Sequence, residues 1–384
     1  LGLEDLEVTD VAELGARSGS SIVTELTSRG ERRKLLGLYP LRVTYSAEST
    51  GNGRPRSLDL VAKVKPLDAE IIVETGKLAS LCGREVAEAW SRWGALAGFS
   101  GAHTRELAIY RRREPGLAAI LPKAYGVYED ADREAFVILM ERLGNDLVAF
   151  DAADDPRAWT AERIEAAVNG IAGVHATWLG REAELLAEGW LGPVTGSAEM
   201  ARMADLWLVL AEHNAAEHPK LLDADATARI RRWATSAGEW WRELEALPRT
   251  LVHNDFNPRN IALRPGGRQL VAYDWELATL GVPQRDIAEL LAFVLGPGAD
   301  PGEVGHYLEL HRLALEQAAG ARLDREAWRR GYELALRDLV VTRLQLYLMT
   351  HTHREYPFLE RVVATAMRLL EIESERLEPA GAKR

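Results

Sequence analysis

Apolar and polar residues alternate near the start of the chain, in Ile22-Val-Thr-Glu-Leu26 and Leu58-Asp-Leu-Val-Ala-Lys-Val64, and Tyr39 to Tyr45 is rich in β-formers. This pattern predicts three strands, the last two joined by a hairpin at the turn-forming run Ser49-Thr-Gly-Asn-Gly-Arg-Pro55. After Pro66 the period changes. From Asp68 to about Arg113 apolar residues recur every three or four positions among alanines and glutamates, which predicts helices. Pro122 to Tyr128 and Ala135 to Met140 then flank the acidic turn Glu129-Asp-Ala-Asp132 and predict a second hairpin. Asp151 to Leu247 reads as almost entirely helical. Thr250-Leu-Val252, Ile261-Ala-Leu263 and Gln269 to Tyr273 are short β segments joined by loops, and beyond Val282 the chain is helical up to a polar tail at Glu378 to Arg384. No repeat of fixed period interrupts this order. The pattern is that of an α+β chain: a strand-rich first lobe, then a mainly helical lobe with a small loop-and-strand insert near 250 to 275. The longest apolar run, Leu290 to Leu295, is far short of the roughly 18 to 20 residues that span a bilayer, so no membrane segment is expected.

Composition narrows the picture. The 384 residues suffice for two or three lobes with cores of their own. A formal charge of −11 argues against a protein that holds a nucleic-acid backbone by bulk positive charge. The 47 basic residues divide into 40 arginines and only seven lysines, so a lysine inside a strand calls for a reason. Cys82 has no partner for an internal disulfide and reads as a small buried hydrophobe in a reducing, cytoplasmic setting. No charged stretch followed by an apolar one marks a signal peptide, and a chain starting at Leu1 is also what a domain excised from a longer or fused protein would look like.

The chemistry concentrates in His253-Asn-Asp-Phe-Asn-Pro-Arg-Asn260, set between two apolar strands, and in Asp274, fourteen residues after Asn260 at the end of the next strand. Asn260 and Asp274 are hard oxygen donors on adjacent loops, suited to Mg²⁺ on phosphate oxygens. Asp255 is left to orient a hydroxyl and accept its proton. Taken singly, each piece reads equally well as a polar loop with capping side chains. Together, at this spacing, they match the parts list of phosphoryl transfer.

These residues resemble the catalytic and metal-binding motifs of the aminoglycoside phosphotransferase and choline kinase superfamily. The wording Lys63-Val-Lys-Pro66 and Arg105-Glu-Leu-Ala-Ile-Tyr110 leans toward its ecdysteroid-kinase-like branch. The resemblance implies a protein-kinase-like bilobal fold, with an antiparallel-sheet N-lobe over residues 1–140 and a helical C-lobe with catalytic loop and acceptor pocket over residues 141–384. It also implies ATP and Mg²⁺ as cofactors and a small-molecule hydroxyl acceptor: a natural product, aminoglycoside, amino alcohol or sugar-like compound. Asp255 becomes the catalytic base, with Arg259 beside the transferring phosphoryl group; Asn260 and Asp274 become metal ligands. Lys63 would clamp the α- and β-phosphates, held by Glu106, which is preferred to Glu85. Met140, Glu141 and Arg142 would form the adenine-binding hinge, and His253 and Asp286 would support the catalytic loop. Strand alternation puts Val61, Lys63 and Lys65 on one face, and Lys65 is expected to be exposed to solvent.

Two departures bear on the substrate. No GxGxxG is present in the first lobe; Thr27 to Arg33 is the preferred phosphate-covering loop, with Gly15 to Ser21 the other candidate. Only 12 residues separate Asp274 from Asp286 and no Ala-Pro-Glu follows, too little for a segment that docks a peptide, so a small acceptor is expected. A catalytically silent nucleotide-binding module is the alternative. Trp207 and Trp240-Trp241 read as core rather than as a cage for a quaternary amine. His351-Thr-His353, spaced for two different helix faces, is no metal site; with Arg337, Arg343 and Arg354 it reads as a solvated helix face, or else as the wall of an anionic acceptor pocket.

Overall fold

The computed structural model describes residues 6–15, 36–47, 55–144 and 146–377. The chain opens with β1 (Leu6–Glu13), β2 (Gly37–Ala47) and β3 (Arg56–Val64), followed by helices α1 (Asp68–Leu81), α2 (Arg84–Trp93) and α3 (Ala102–Arg111). A single turn, α4 (Pro115–Ala118), leads into the hairpin of β4 (Ala124–Asp130) and β5 (Ala135–Glu141). The five strands form one antiparallel sheet in the order β1-β2-β3-β5-β4. Lys63 lies on its central strand, opposite Leu38 on one side and Ile138 on the other.

β1 is absent from the alternation pattern for a physical reason. Val8 and Val11 are 50% and 55% exposed, and a register shift between Val8 and Asp10 interrupts the period of two on this edge strand. The expected strand at 22–26, both candidate phosphate loops apart from Gly15, and the hairpin turn at 49–54 lie outside the described residues.

The second lobe starts with α5 (Ala161–Trp178), α6 (Glu182–Ala187), α7 (Ser197–Arg202), α8 (Ala204–Glu217), α9 (Ala224–Thr235) and α10 (Ala237–Glu245). Four three-residue strands follow: β6 (Thr250–Val252), β7 (Ile261–Leu263), β8 (Leu270–Ala272) and β9 (Thr279–Gly281). β6 pairs with β9 and β7 with β8, both antiparallel. The helices α11 (Gln284–Val294), α12 (Pro301–Ala319), α13 (Arg325–Val341), α14 (Arg343–His351) and α15 (Leu359–Leu377) complete the chain.

Every residue of α11 is buried, so the apolar run at Leu290 to Leu295 is the axis of the lobe. α5 crosses β8 so closely that a Cβ at Gly170 would lie 2.6 Å from the Leu270 side chain, which requires glycine there. A smaller core of Leu107, Tyr110, Phe136, Ile138 and Met140 joins α3 to the sheet. Leu344 to Thr350 of α14 are all buried, because the helix is covered on one side by α8 and on another by α15; of the residues expected on a solvated face, His353 and Arg354 are exposed, and Arg337, Arg343 and His351 are half-buried. Trp207 and Trp240 are core residues at 2% exposure each. No helix among the described residues is long and apolar enough to cross a membrane.

Candidate active site

The loop between β6 and β7 is held from below by one carboxylate. Asp286, on the first turn of α11, accepts hydrogen bonds from the backbone N–H of His253 and of Asn254, at 2.8 Å each, and a further one from His175 at 3.0 Å. Burial alone would raise this carboxyl, but the bond from His175 and those from the backbone keep it below its ordinary value. Asn254 takes a left-handed conformation, φ 61°, and ties its amide to Leu277 O at 3.1 Å. His253 is fully buried, bonded through Nε2 to Tyr273 O at 2.9 Å and packed on Trp275 at 4.4 Å between ring centroids. The loop therefore leaves β6 in one conformation, and its next residue is Asp255.

Three side chains orient the Asp255 carboxylate. Oδ1 accepts from Tyr347 Oη at 3.1 Å and from Asn257 Nδ2 at 3.1 Å, while Oδ2 accepts from Asn260 Nδ2 at 2.6 Å. Asn257 also donates to Glu289 at 2.9 Å, and Glu289 pairs with Arg285 at 2.7 Å. Burial pushes the Glu289 carboxyl up to about 7 against the pull of Arg285. Arg259 donates its backbone N–H to Asn257 Oδ1 and lies 5.6 Å from the centroid of the Phe358 ring.

Above this loop lies a cluster of five charged groups. Lys63 Nζ is 2.7 Å from Glu106 Oε1 and 2.6 Å from Asp274 Oδ1. Lys65 Nζ is 2.6 Å from the other oxygen of Glu106 and also pairs with Glu276. The expectation of an exposed Lys65 is corrected here: it is 2% exposed. Alternation had assigned the face rightly, because Lys63 and Lys65 both point at Glu106, but that face is covered by α3 and by the turn after β8. Glu106 is fully buried, whereas Glu85 is exposed on α2. Asp274 is left-handed at φ 63°; burial opposes its ionisation, yet Lys63 and Lys65 hold its carboxyl down at about 2. Glu276 goes the other way, to about 6, because burial and the neighbouring Asp274 outweigh the attraction of the lysines.

Asp255, Asn260 and Asp274 line one cleft, together with Arg259, Thr75 and Tyr347. Asn260 donates through Nδ2 to Asp255, so its Oδ1 is turned away from that carboxylate. An amide oxygen and a strongly ionised carboxylate in one cleft are the donor set that suits Mg²⁺. Carboxylate oxygens of Glu106, Asp274 and Glu276 also come within 4.8 Å of one another, but two ammonium groups already balance this trio. On the neighbouring strand, opposite Val61, Met140 is buried, with Tyr110 Oη 3.7 Å from its sulfur. The Glu141 carboxylate is committed to Arg264 and to the N–H of Lys123, and its own N–H donates to Lys123 O at 2.9 Å. Arg142 faces Asp59 at 3.6 Å.

Three contributors, Tyr347, Glu289 and Arg105, were not singled out from sequence, and a fourth, Lys65, was assigned the wrong environment. Tyr347 and Glu289 sit inside helical runs that carry no loop signal. Lys65 was seen but read as exposed. Arg105, 2% exposed, donates to Leu191 O at 2.8 Å, Glu276 O at 2.9 Å and Ser100 O at 2.7 Å, and so pins α3 to the turn carrying Glu276.

Residues 102–334, more than half of the chain, match the model of the phosphotransferase enzyme family APH. No curated protein matches the chain. Similar solved structures include an aminoglycoside phosphotransferase from Streptomyces rimosus in complex with ADP and streptomycin, at 15% identity and TM-score 0.39, covering 76% of this chain and 88% of that one. A choline kinase from Streptococcus pneumoniae is 13% identical with TM-score 0.42, over 96% of this chain and 94% of that one. An ethanolamine kinase from Plasmodium vivax is 12% identical with TM-score 0.44, over 88% and 82%. The architecture is α+β, a five-stranded antiparallel sheet followed by a mainly helical lobe, and the chain belongs to the phosphotransferase enzyme family.

Proposed function

We propose that this protein is an ATP- and Mg²⁺-dependent kinase that moves the γ-phosphate to a hydroxyl group of a small molecule. The observation that carries this reading is the convergence on one cleft of Asp255, Asn260 and Asp274, with the Lys63 to Glu106 pair directly bonded to Asp274. In this reading Asp255 receives the proton of the acceptor hydroxyl as its oxygen forms a bond to the γ-phosphorus and the bond to the ADP oxygen breaks. Tyr347, Asn257 and Asn260 hold the carboxylate in one orientation, which serves positioning. Lys63 supplies a fixed ammonium for the phosphates, kept in place by Glu106. When bound between Asn260 and Asp274, Mg²⁺ would neutralise phosphate charge. The hinge reading narrows to main-chain groups other than the Glu141 N–H, which Lys123 already engages.

The base assignment is tested by Asp255→Asn, which retains size and hydrogen-bonding capacity but not basicity. The expected result is a fall in kcat of about 10² to 10⁴ with nucleotide binding retained. Phosphate transfer at close to the wild-type rate would remove Asp255 from that role.

A further inference from the structure

Behind the cleft lies a second, larger cavity that shares Leu277, Arg343 and Leu346 with it. Its walls come from α7, α8, α10, β9, α13 and α14, and include Met200, Met203, Trp207, Trp241, Leu244 and Leu280. A molecule lying in it would have one end at Leu277, Arg343 and Leu346, which border the cleft that Asp255 lines, and the other among methionines and tryptophans.

The polar atoms of this chamber are unbalanced. Three buried donors on its wall residues have no hydrogen-bond partner: Trp207 Nε1, Arg249 Nε and Arg343 Nε. Trp207 is itself only 2% exposed, so its N–H is shielded from solvent as well. The two carboxylates of the chamber are both engaged. Glu245 accepts the N–H of Ser197 at 2.9 Å, and Asp338 accepts from Arg285 Nε at 3.1 Å and from Thr342 Oγ1 at 3.0 Å. An unsatisfied buried donor is matched by an acceptor atom on a ligand. A cationic ligand would find four arginines on these walls, Arg105, Arg249, Arg285 and Arg343, against two carboxylates, one of which is already paired with Arg285, so the surrounding charge opposes it.

We propose that the acceptor is a neutral or anionic alcohol with an apolar body. That body rests against Met200, Met203 and Trp241, its ether, carbonyl or carboxylate oxygens meet the donors of Trp207, Arg249 and Arg343, and its reacting hydroxyl passes Leu277 and Leu346 to reach Asp255. This rests on the phosphotransferase reading above and specifies its substrate class, setting it apart from polyamine sugars and quaternary amines.

The test uses the full chain with Mg²⁺ and ATP or GTP. Binding of nucleotide is measured first by calorimetry. Phosphate transfer and tryptophan fluorescence are then followed with geraniol, testosterone and cholate on one side and kanamycin and choline on the other. The expected result is that at least one of the first three binds and accepts phosphate, while kanamycin and choline do neither. In Trp207→Phe, which retains the ring and removes the donor, KM for an oxygenated apolar acceptor should rise roughly three- to tenfold at unchanged kcat, the worth of one neutral hydrogen bond. Transfer to kanamycin or choline, no binding of any apolar alcohol by protein that binds nucleotide, or the same KM in Trp207→Phe overturns the inference and leaves the kinase reading standing. Absence of nucleotide binding, with no transfer to any compound, instead refutes the kinase reading itself.

Discussion

Two buried polar clusters lie on opposite sides of Asp255, and they are built differently. The upper one, Lys63, Lys65, Glu106, Asp274 and Glu276, is made of side chain to side chain ion pairs, two of which join residues 211 positions apart. The lower one ends on the main chain: Asp286 binds two backbone N–H groups of the loop that carries Asp255 and is backed by His175, which in turn bonds His311 at 3.0 Å. Ion pairs between side chains can exchange one partner for another of the same sign, as the arrival of phosphate and a divalent cation would require. A carboxylate clamped on backbone cannot move without moving the loop. The upper cluster is therefore suited to meeting ligands and the lower to fixing the shape of what meets them.

Removing the centre of each cluster should separate these roles. Asp286→Ala leaves the N–H groups of His253 and Asn254 and the imidazole of His175 without their acceptor, in a fully buried place. A loss of about 3–5 kcal/mol in unfolding free energy is expected by urea denaturation, with activity abolished at the same time. A loss below about 1 kcal/mol would mean that the loop is held by something else, and the contrast would fail.

Lys63→Ala is the matching change above. Glu106 retains Lys65 at 2.6 Å, and Asp274 opens onto the cleft, so the fold should lose less than about 2 kcal/mol. The catalytic effect should be the larger one, a fall in kcat/KM on the order of 10² to 10³, measured by coupled ADP release. If Lys63→Ala unfolds the protein as readily as Asp286→Ala, the upper cluster is a structural core after all.

How much of this was legible in the sequence follows the same division. Of the upper and lower anchors, Lys63 lies in a strand, Asp274 in the turn after one and Asp286 at a helix start, where residue type and spacing limit what a side chain can face; Glu106, in the middle of α3, was found by its order after Lys63. Most strands and the helical second lobe were legible from period alone. Lys65 was not, because its burial is decided by Glu276, 211 positions away, and a local period carries no information on what covers a face. Tyr347 escaped for a related reason: inside the buried stretch Leu344 to Thr350 an aromatic residue is ordinary core, and only the distance of its hydroxyl to Asp255, 3.1 Å, distinguishes it. β9 is three residues ending in glycine, too short for any periodicity.

Lys65 supplies the next test of the comparison, with a smaller expected effect. Lys65→Met retains much of the length of the side chain and removes the charge, leaving Glu106 with Lys63 and Glu276 with no ammonium in contact. About 2–3 kcal/mol of stability should be lost in denaturant titrations, and kcat should fall less than in Lys63→Ala, because the ammonium that contacts Asp274 is still present. Equal losses of activity in the two variants would make the second lysine a direct contributor to phosphate binding.

The smallest expected effect is a pH dependence of two carboxyls, Glu276 of the upper cluster and Glu289, which stands three residues after Asp286 on α11. Burial raises Glu276 to about 6 and Glu289 to about 7, from an ordinary 4.5. A carboxyl whose pKa is higher in the folded state binds its proton more tightly there, so its contribution to stability is complete below about 4.5 and disappears as pH rises through the folded value. His311, held neutral by burial well below its ordinary 6.5, acts in the opposite sense on the acid side. The carboxyl contribution is therefore read as the difference between wild type and Glu276→Gln or Glu289→Gln, by urea denaturation from pH 5 to pH 8. Each difference should shift against the wild type by on the order of 1 kcal/mol as pH rises. For Glu276 the shift should be complete soon after pH 6, and for Glu289 it should continue through pH 7. Asp274, held at about 2, titrates outside this window. The later titration of Glu289 follows from its place: Arg285 pulls it toward the charged form, yet burial and the nearby Asp255 charge prevail. Reversal of the two midpoints would place the stronger desolvation in the upper cluster and undo the assignment of which side of Asp255 is open to ligands.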